Sequence, residues 1–111
     1  MEQWARELSA AITVCDREGR ILDMNDKAAR TFEKDGPREL IGQNVLDCHP
    51  EPARTKLRGL LASGTPNCYT IEKKGARKLI FQTPWYEHGE YRGFVELSLA
   101  IPEKLAHFAR E

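Results

Sequence analysis

The chain has 111 residues, 41% of them hydrophobic and 31% charged, the size and balance of one folded domain rather than two, and not of a disordered segment. Seventeen Lys and Arg offset seventeen Asp and Glu, so the formal net charge is zero. That excludes nucleic-acid binding through a basic field and adhesion to an anionic membrane, since both need a surplus of cations. No apolar run approaches the roughly 18 residues of a membrane-spanning helix, and Met1 to Ala10 is too charged for a secretion signal. Cys15, Cys48 and Cys68 are odd in number and widely spaced, which suits reduced thiols in the cytoplasm better than a disulfide framework.

In chain order, Glu2 to Ser9 reads as a short amphipathic helix, with Trp4 and Leu8 one turn apart. Ala11 to Cys15 alternates as a strand, Asp16 to Gly19 turns, and Arg20 to Met24 returns as its hairpin partner. Asn25 or Asp26 is placed to cap a helix over Lys27 to Glu33, whose Ala28, Ala29 and Phe32 form an inward stripe. Asp35-Gly36-Pro37 breaks it, and Arg38 to Gly42 adds a helical turn closed by glycine. A longer helix runs from Glu51 to Ser63, opened by Pro50 and Pro52 and closed by Gly64, with Ala53, Leu57, Leu60 and Leu61 on its buried face. Gly59 inside that helix suggests close packing. Three strands follow: Asn67 to Lys73, Lys78 to Tyr86 and Tyr91 to Ile101. Leu105 and Phe108 then continue an apolar stripe into a helix beginning at Pro102. Hairpins at both ends of this order predict an α+β fold, a five-stranded antiparallel sheet with short helices on one face and flanking helices at both termini. The corresponding divisions are a flanking helix over 1–10, a core domain over 11–101 and the start of a linker helix over 102–111.

The first hairpin carries Ile12-x-Val14-x-Asp16-x-x-Gly19-x-Ile21-x-x-x-Asn25, and the middle carries Leu40-Ile41-Gly42 followed by His49-Pro50-Glu51. The end carries Gly93-Phe94-Val95-x-Leu97-Ser98 and Ile101-Pro102-Glu103-Lys104. In this order and spacing the chain resembles the PAS domains, small sensor modules of bacterial signalling proteins, over about residues 9 to 104. It departs from the family at Ala100 and Pro102, where an Asp and a Thr usually couple the sheet to a following helix, and at Pro52, where an Asp usually follows the His-Pro-Glu.

The resemblance implies a pocket between the long helix and the inner face of the sheet. Its expected lining is Leu57 and Leu61 from the helix, Phe81 and Leu97 from the strands, and His49 and Cys68. Haem is the cofactor that some relatives carry; His49 would be its axial imidazole and the metal ligand, with Cys68 as a second ligand. Against this, the same histidine in other relatives only serves the start of the helix. Flavin photochemistry is excluded, because Gly42-Gln43-Asn44 is followed by Val45 where the light-sensing branch has its reactive cysteine. Cys48, His49, Cys68 and His88 lack the spacing of a zinc site. No phosphate-binding glycine loop or nucleophile elbow is present, so the chain is not expected to be an enzyme, and a haem redox enzyme is the weakest reading.

Two function classes remain. One is a sensory module that binds a small ligand or cofactor and relays the change to an output domain or partner protein, as a homodimer, with regulation of transcription among the outputs. The other is a ligand-free module that only pairs chains. A ligand site expects Thr13, Cys15, Cys68 and Thr70 to share one side of the sheet, where a closed apolar core would not.

Overall fold

A computed structural model describes residues 1–31 and 37–111, with the side chains of 37 and 38 left undescribed. Its elements are α1 (Gln3–Arg6), β1 (Ala11–Asp16), β2 (Ile21–Met24) and α2 (Asp26–Thr31). Two 3-10 turns, Pro37–Leu40 and Val45–Cys48, lead to α3 (Ala53–Ser63). Then come β3 (Asn67–Lys73), β4 (Ala76–Glu87) and β5 (Glu90–Ile101). The strands form one antiparallel sheet in the order β2-β1-β5-β4-β3, so the first hairpin and the last strand meet at its centre.

Asp16 makes the first hairpin turn: its Oδ1 accepts from the backbone N–H of Glu18 at 3.0 Å and of Arg20 at 2.8 Å. Asn25, not Asp26, caps α2, accepting from the Ala28 N–H at 3.1 Å. The cap is also a hub, because Asn25 is fully buried and its side chain takes the Ile12 N–H and donates to the carbonyls of Ala5 and Ala10. The expected Phe32 and Glu33 end of this helix, and Asp35 and Gly36 of the break, lie outside the described residues.

At its other end the chain is clipped to β2. Gly42 donates to the Ile21 carbonyl, Ile21 to that of Gln43, and Val45 to that of Gly19. α3 begins two residues later than its sequence suggests, because the peptide N–H groups of its first turn are met from upstream. Glu51 accepts from both the N–H and the hydroxyl of Thr55, and these two bonds hold its carboxyl below the usual carboxylate range. It ends at Gly64, whose left-handed backbone (φ 67°) closes on the Leu60 carbonyl.

Leu57 and Leu61 are buried with Cys15 and Phe94, which seats α3 on the sheet. Leu57→Ala should therefore cost about 2–5 kcal/mol, read as a drop in the denaturation midpoint; an unchanged midpoint would remove α3 from the core. Gly59 touches nothing at the position of a Cβ, so it is not the close-packing residue the sequence suggests.

Both termini differ from expectation. α1 is a single turn, with Ala5 buried beneath it and Trp4 left 71% exposed. The Ala5 carbonyl accepts from the Asn25 amide at 3.0 Å as well as from the Leu8 N–H, and the helix goes no further. Residues 102–111 form no helix, and Leu105 and Phe108 stand 70% and 72% exposed. Ten residues with no surface to pack on are too few to sustain a helix, since its stability comes mostly from burial of one face.

Candidate functional site

Strand register decides which residues meet the helices. Thr13 pairs with Glu96 and Cys15 with Phe94 across β1 and β5; Glu96 pairs with Gln82, and Gln82 with Asn67, across β5, β4 and β3. Side chains alternate between faces, so Thr13, Cys15, Phe94, Glu96, Ile80, Gln82, Asn67 and Tyr69 share the helix-covered inner face. Between this face and α3 lies a partly open cavity of about 150 Å³. It is lined by Ile21, Val45, Leu57 and Phe94 on its apolar sides, and by Thr13, Gln82, Glu96 and His49 on its polar ones. A groove of about 590 Å³ adjoins it between the start of α3 and β3, sharing His49, Leu57 and Gln82.

His49 borders the cavity, the groove and a further space of about 220 Å³ beside Thr13, Ile80 and Glu96. Its position is built from both directions: Arg54 of α3 donates from Nε to the carbonyls of Leu46 and His49, each at 3.0 Å. Asn44 caps the turn before it, accepting from the Leu46 N–H at 2.9 Å. His49 Nδ1 lies 2.7 Å from the Val45 carbonyl oxygen. A carbonyl only accepts, so Nδ1 carries a hydrogen and Nε2 is the ring nitrogen left for another partner.

A polar ladder crosses the inner face. Asn67 Nδ2 donates to Gln82 Oε1 at 3.0 Å, and Gln82 Nε2 donates to Glu96 Oε1 at 2.9 Å. Burial, and secondarily the Glu96 charge, raises the Tyr69 phenol, so it stays protonated. Burial likewise pushes the Cys15 thiol up, with Asp16 and Glu96 adding to it against a hydrogen bond from Phe94, so Cys15 faces the cavity as a neutral thiol.

Of the expected pocket residues, His49 and Leu57 border both the cavity and the groove, and Cys68 borders the groove with them, while Leu61 packs beside Leu57 in the core and lines neither. Phe81 pairs with both Leu97 and Cys68; strand alternation turns Phe81 and Leu97 to the outer face of the sheet, with Cys68 at the start of the edge strand. Thr70 is on the outer face too, so Thr13 and Cys15 share the inner side with Tyr69 and Ile71 instead. The inner face was misread because the outer one, with Leu79, Phe81, Leu97 and Leu99, is the more apolar. Gln82, Glu96 and Asn67 were missed for the same reason, since single polar residues in three strands become a ladder only once the register aligns them.

This bears on haem. His49 has the hydrogen-bonded ring an axial ligand needs. Cys68 is exposed and borders the groove that His49 also reaches. The cavity of about 150 Å³ is smaller than the roughly 300–1,000 Å³ of sites for drug-sized ligands, whereas the adjoining groove of about 590 Å³ falls within that range. Among the described residues no group of three or more His, Cys, Asp or Glu is placed to hold a metal ion. No helix among them is long and apolar enough to cross a membrane.

The profile of the PAS fold family matches residues 5–104. Among solved structures, the PAS domain of BvgS from Bordetella pertussis superposes with a TM-score of 0.66 at 19% identity, covering 90% of this chain and 82% of that one. The Aer2 receptor of Vibrio cholerae, described as a dual PAS-heme oxygen sensor, gives 0.64 at 17% identity, covering 84% and 95%. A sensory box sensor histidine kinase from Vibrio cholerae gives 0.63 at 17%, covering 88% and 86%. No curated protein sequence matches the chain significantly.

Proposed function

The chain belongs to the PAS fold family, and on that premise we propose that it is a non-catalytic sensory module that binds a small molecule between α3 and the sheet. The observation that carries this reading is the partly open cavity of about 150 Å³, apolar on most sides but edged by Glu96, Gln82, Thr13 and His49. A cavity of this size is enough for a benzene-sized ring, and polar groups at one edge are what orient a ligand. β5 carries the response outward: Phe94 and Glu96 face the cavity, while their neighbours Val95 and Leu97 face the outer side. A ligand that binds one packing of β5 better than another shifts the population toward it, and the outer face reports the shift to an output domain or partner protein.

The test is a small-molecule screen by thermal unfolding. Ligands should raise the melting temperature of the wild type and not of Thr13→Leu, in which an apolar side chain occupies the cavity edge. Equal shifts in both proteins would place binding elsewhere, and a library without a single hit would favour the ligand-free pairing module.

The outer face supports a second element of the proposal, a homodimer. Leu79, Phe81, Val95 and Leu97 there are only half-buried, and Leu99 is exposed, which leaves an apolar surface that a second copy would cover. Light scattering should give twice the chain mass for the wild type and the single mass for Leu97→Glu. A monomeric wild type at about 100 μM, a concentration far above the usual dissociation constants of stable dimers, would refute it.

A further inference from the structure

Glu96 is half-buried at the cavity and receives one hydrogen bond, from Gln82. Among the described residues no Lys, Arg or His nitrogen lies within ion-pair distance of it. An ionised carboxylate only accepts, so Gln82 must present its amide nitrogen to Glu96, and its oxygen to the Asn67 amide nitrogen. The whole ladder thus points its donors toward Glu96 and still leaves the second carboxylate oxygen unspent. His49 spends an Nδ1 hydrogen on Val45, which leaves Nε2 as the ring nitrogen toward the spaces around it. The cavity is lined by no Lys or Arg; Lys56 borders the groove, and Lys73 and Lys78 border a neighbouring space that Glu96 also lines, without reaching ion-pair distance of it. A cation bound in the cavity would supply Glu96 with the cationic partner that no described side chain gives it.

We infer that the cavity takes a small organic cation, a protonated amine or amidine, its apolar body against Leu57, Phe94 and Ile21 and its charged head on Glu96. The inference rests on the cavity being a ligand site and adds the charge of the ligand. Benzamidinium, benzamide and benzoate, three probes of nearly one shape and different charge, separate the two ideas by titration calorimetry on the full chain. Benzamidinium should bind tightest and benzoate weakest. E96Q should weaken benzamidinium about tenfold or more, the loss of one charge-assisted hydrogen bond, with an unchanged circular dichroism spectrum certifying that the variant is folded. Benzoate binding as well as benzamidinium, or an E96Q variant that keeps the preference, overturns the inference and leaves the cavity as a ligand site. If none of the three binds, the ligand site itself falls, and the inference with it.

Discussion

Replacing Asn25 by Ala should cost about 3–5 kcal/mol, the largest loss expected from any single polar side chain here. The side chain is fully buried and makes four hydrogen bonds to backbone groups of three separate segments. Truncation removes the Asn25 partner from two N–H groups and two carbonyls, leaving the Ala5 carbonyl only its bond from the Leu8 N–H, and opens a void as well. Asn25→Asp should cost nearly as much despite its identical shape. The carboxylate still accepts from Ile12 and Ala28, but it sets negative oxygen against the carbonyls of Ala5 and Ala10 that the amide nitrogen bonded. Urea denaturation of both variants checks this, and a cost below about 1 kcal/mol for either, ordinary for a surface residue, would mean that Asn25 does not join α1, β1 and α2.

The second large effect is expected at Gly93, where the reason is closeness of backbone. A Cβ there would collide with the Cys15 carbonyl oxygen and lie 2.7 Å from the Asp16 Cα, and neither can swing aside as a flexible side chain does. The same Cys15 carbonyl accepts the Trp85 indole N–H at 3.0 Å, so displacing β1 also breaks a bond between the sheet's centre and β4. Gly93→Ala should lose about 3 kcal/mol or more by overpacking, with the emission of Trp85 shifted to the red. Gly59→Ala is the contrasting case. It meets nothing within 4 Å, and should raise stability by up to about 1 kcal/mol from helix propensity alone. A Gly93→Ala protein as stable as Gly59→Ala would show that β1 and β5 do not approach as described.

Most elements were legible in the sequence because their signals are local. The alternation of Ala11 to Cys15, the Asp16 turn, the Asn25 cap and the Gly64 stop each depend on residues within a few positions of one another, and the structure has all four. The Glu2 to Ser9 and Pro102 helices were not, because an apolar stripe states that a helix needs a surface without saying whether one is there. Trp4, Leu105 and Phe108 remain exposed for that reason. Which face of the sheet turns inward was the costliest ambiguity. Both faces of β4 and β5 carry apolar residues, so the pattern alone does not tell the side of Phe81 and Leu97 from the side of Ile80 and Phe94. The inner side is fixed instead by Leu57 and Leu61 packing on Cys15 and Phe94, contacts between residues far apart in sequence. His49 could be singled out from its place before the helix. The Asn67–Gln82–Glu96 ladder could not, because three strands must first be set in register.

The most direct test of a ligand cavity between α3 and the sheet is an amide NMR titration of the full chain with benzene, an uncharged probe matched to a cavity of about 150 Å³. The cavity predicts saturable shifts centred on Thr13, Cys15, Val45 and Phe94, carried along β5 to Val95 and Leu97. Amide signals that stay still at these positions, or shifts confined to outer-face residues such as Leu79 and Leu99, would contradict it.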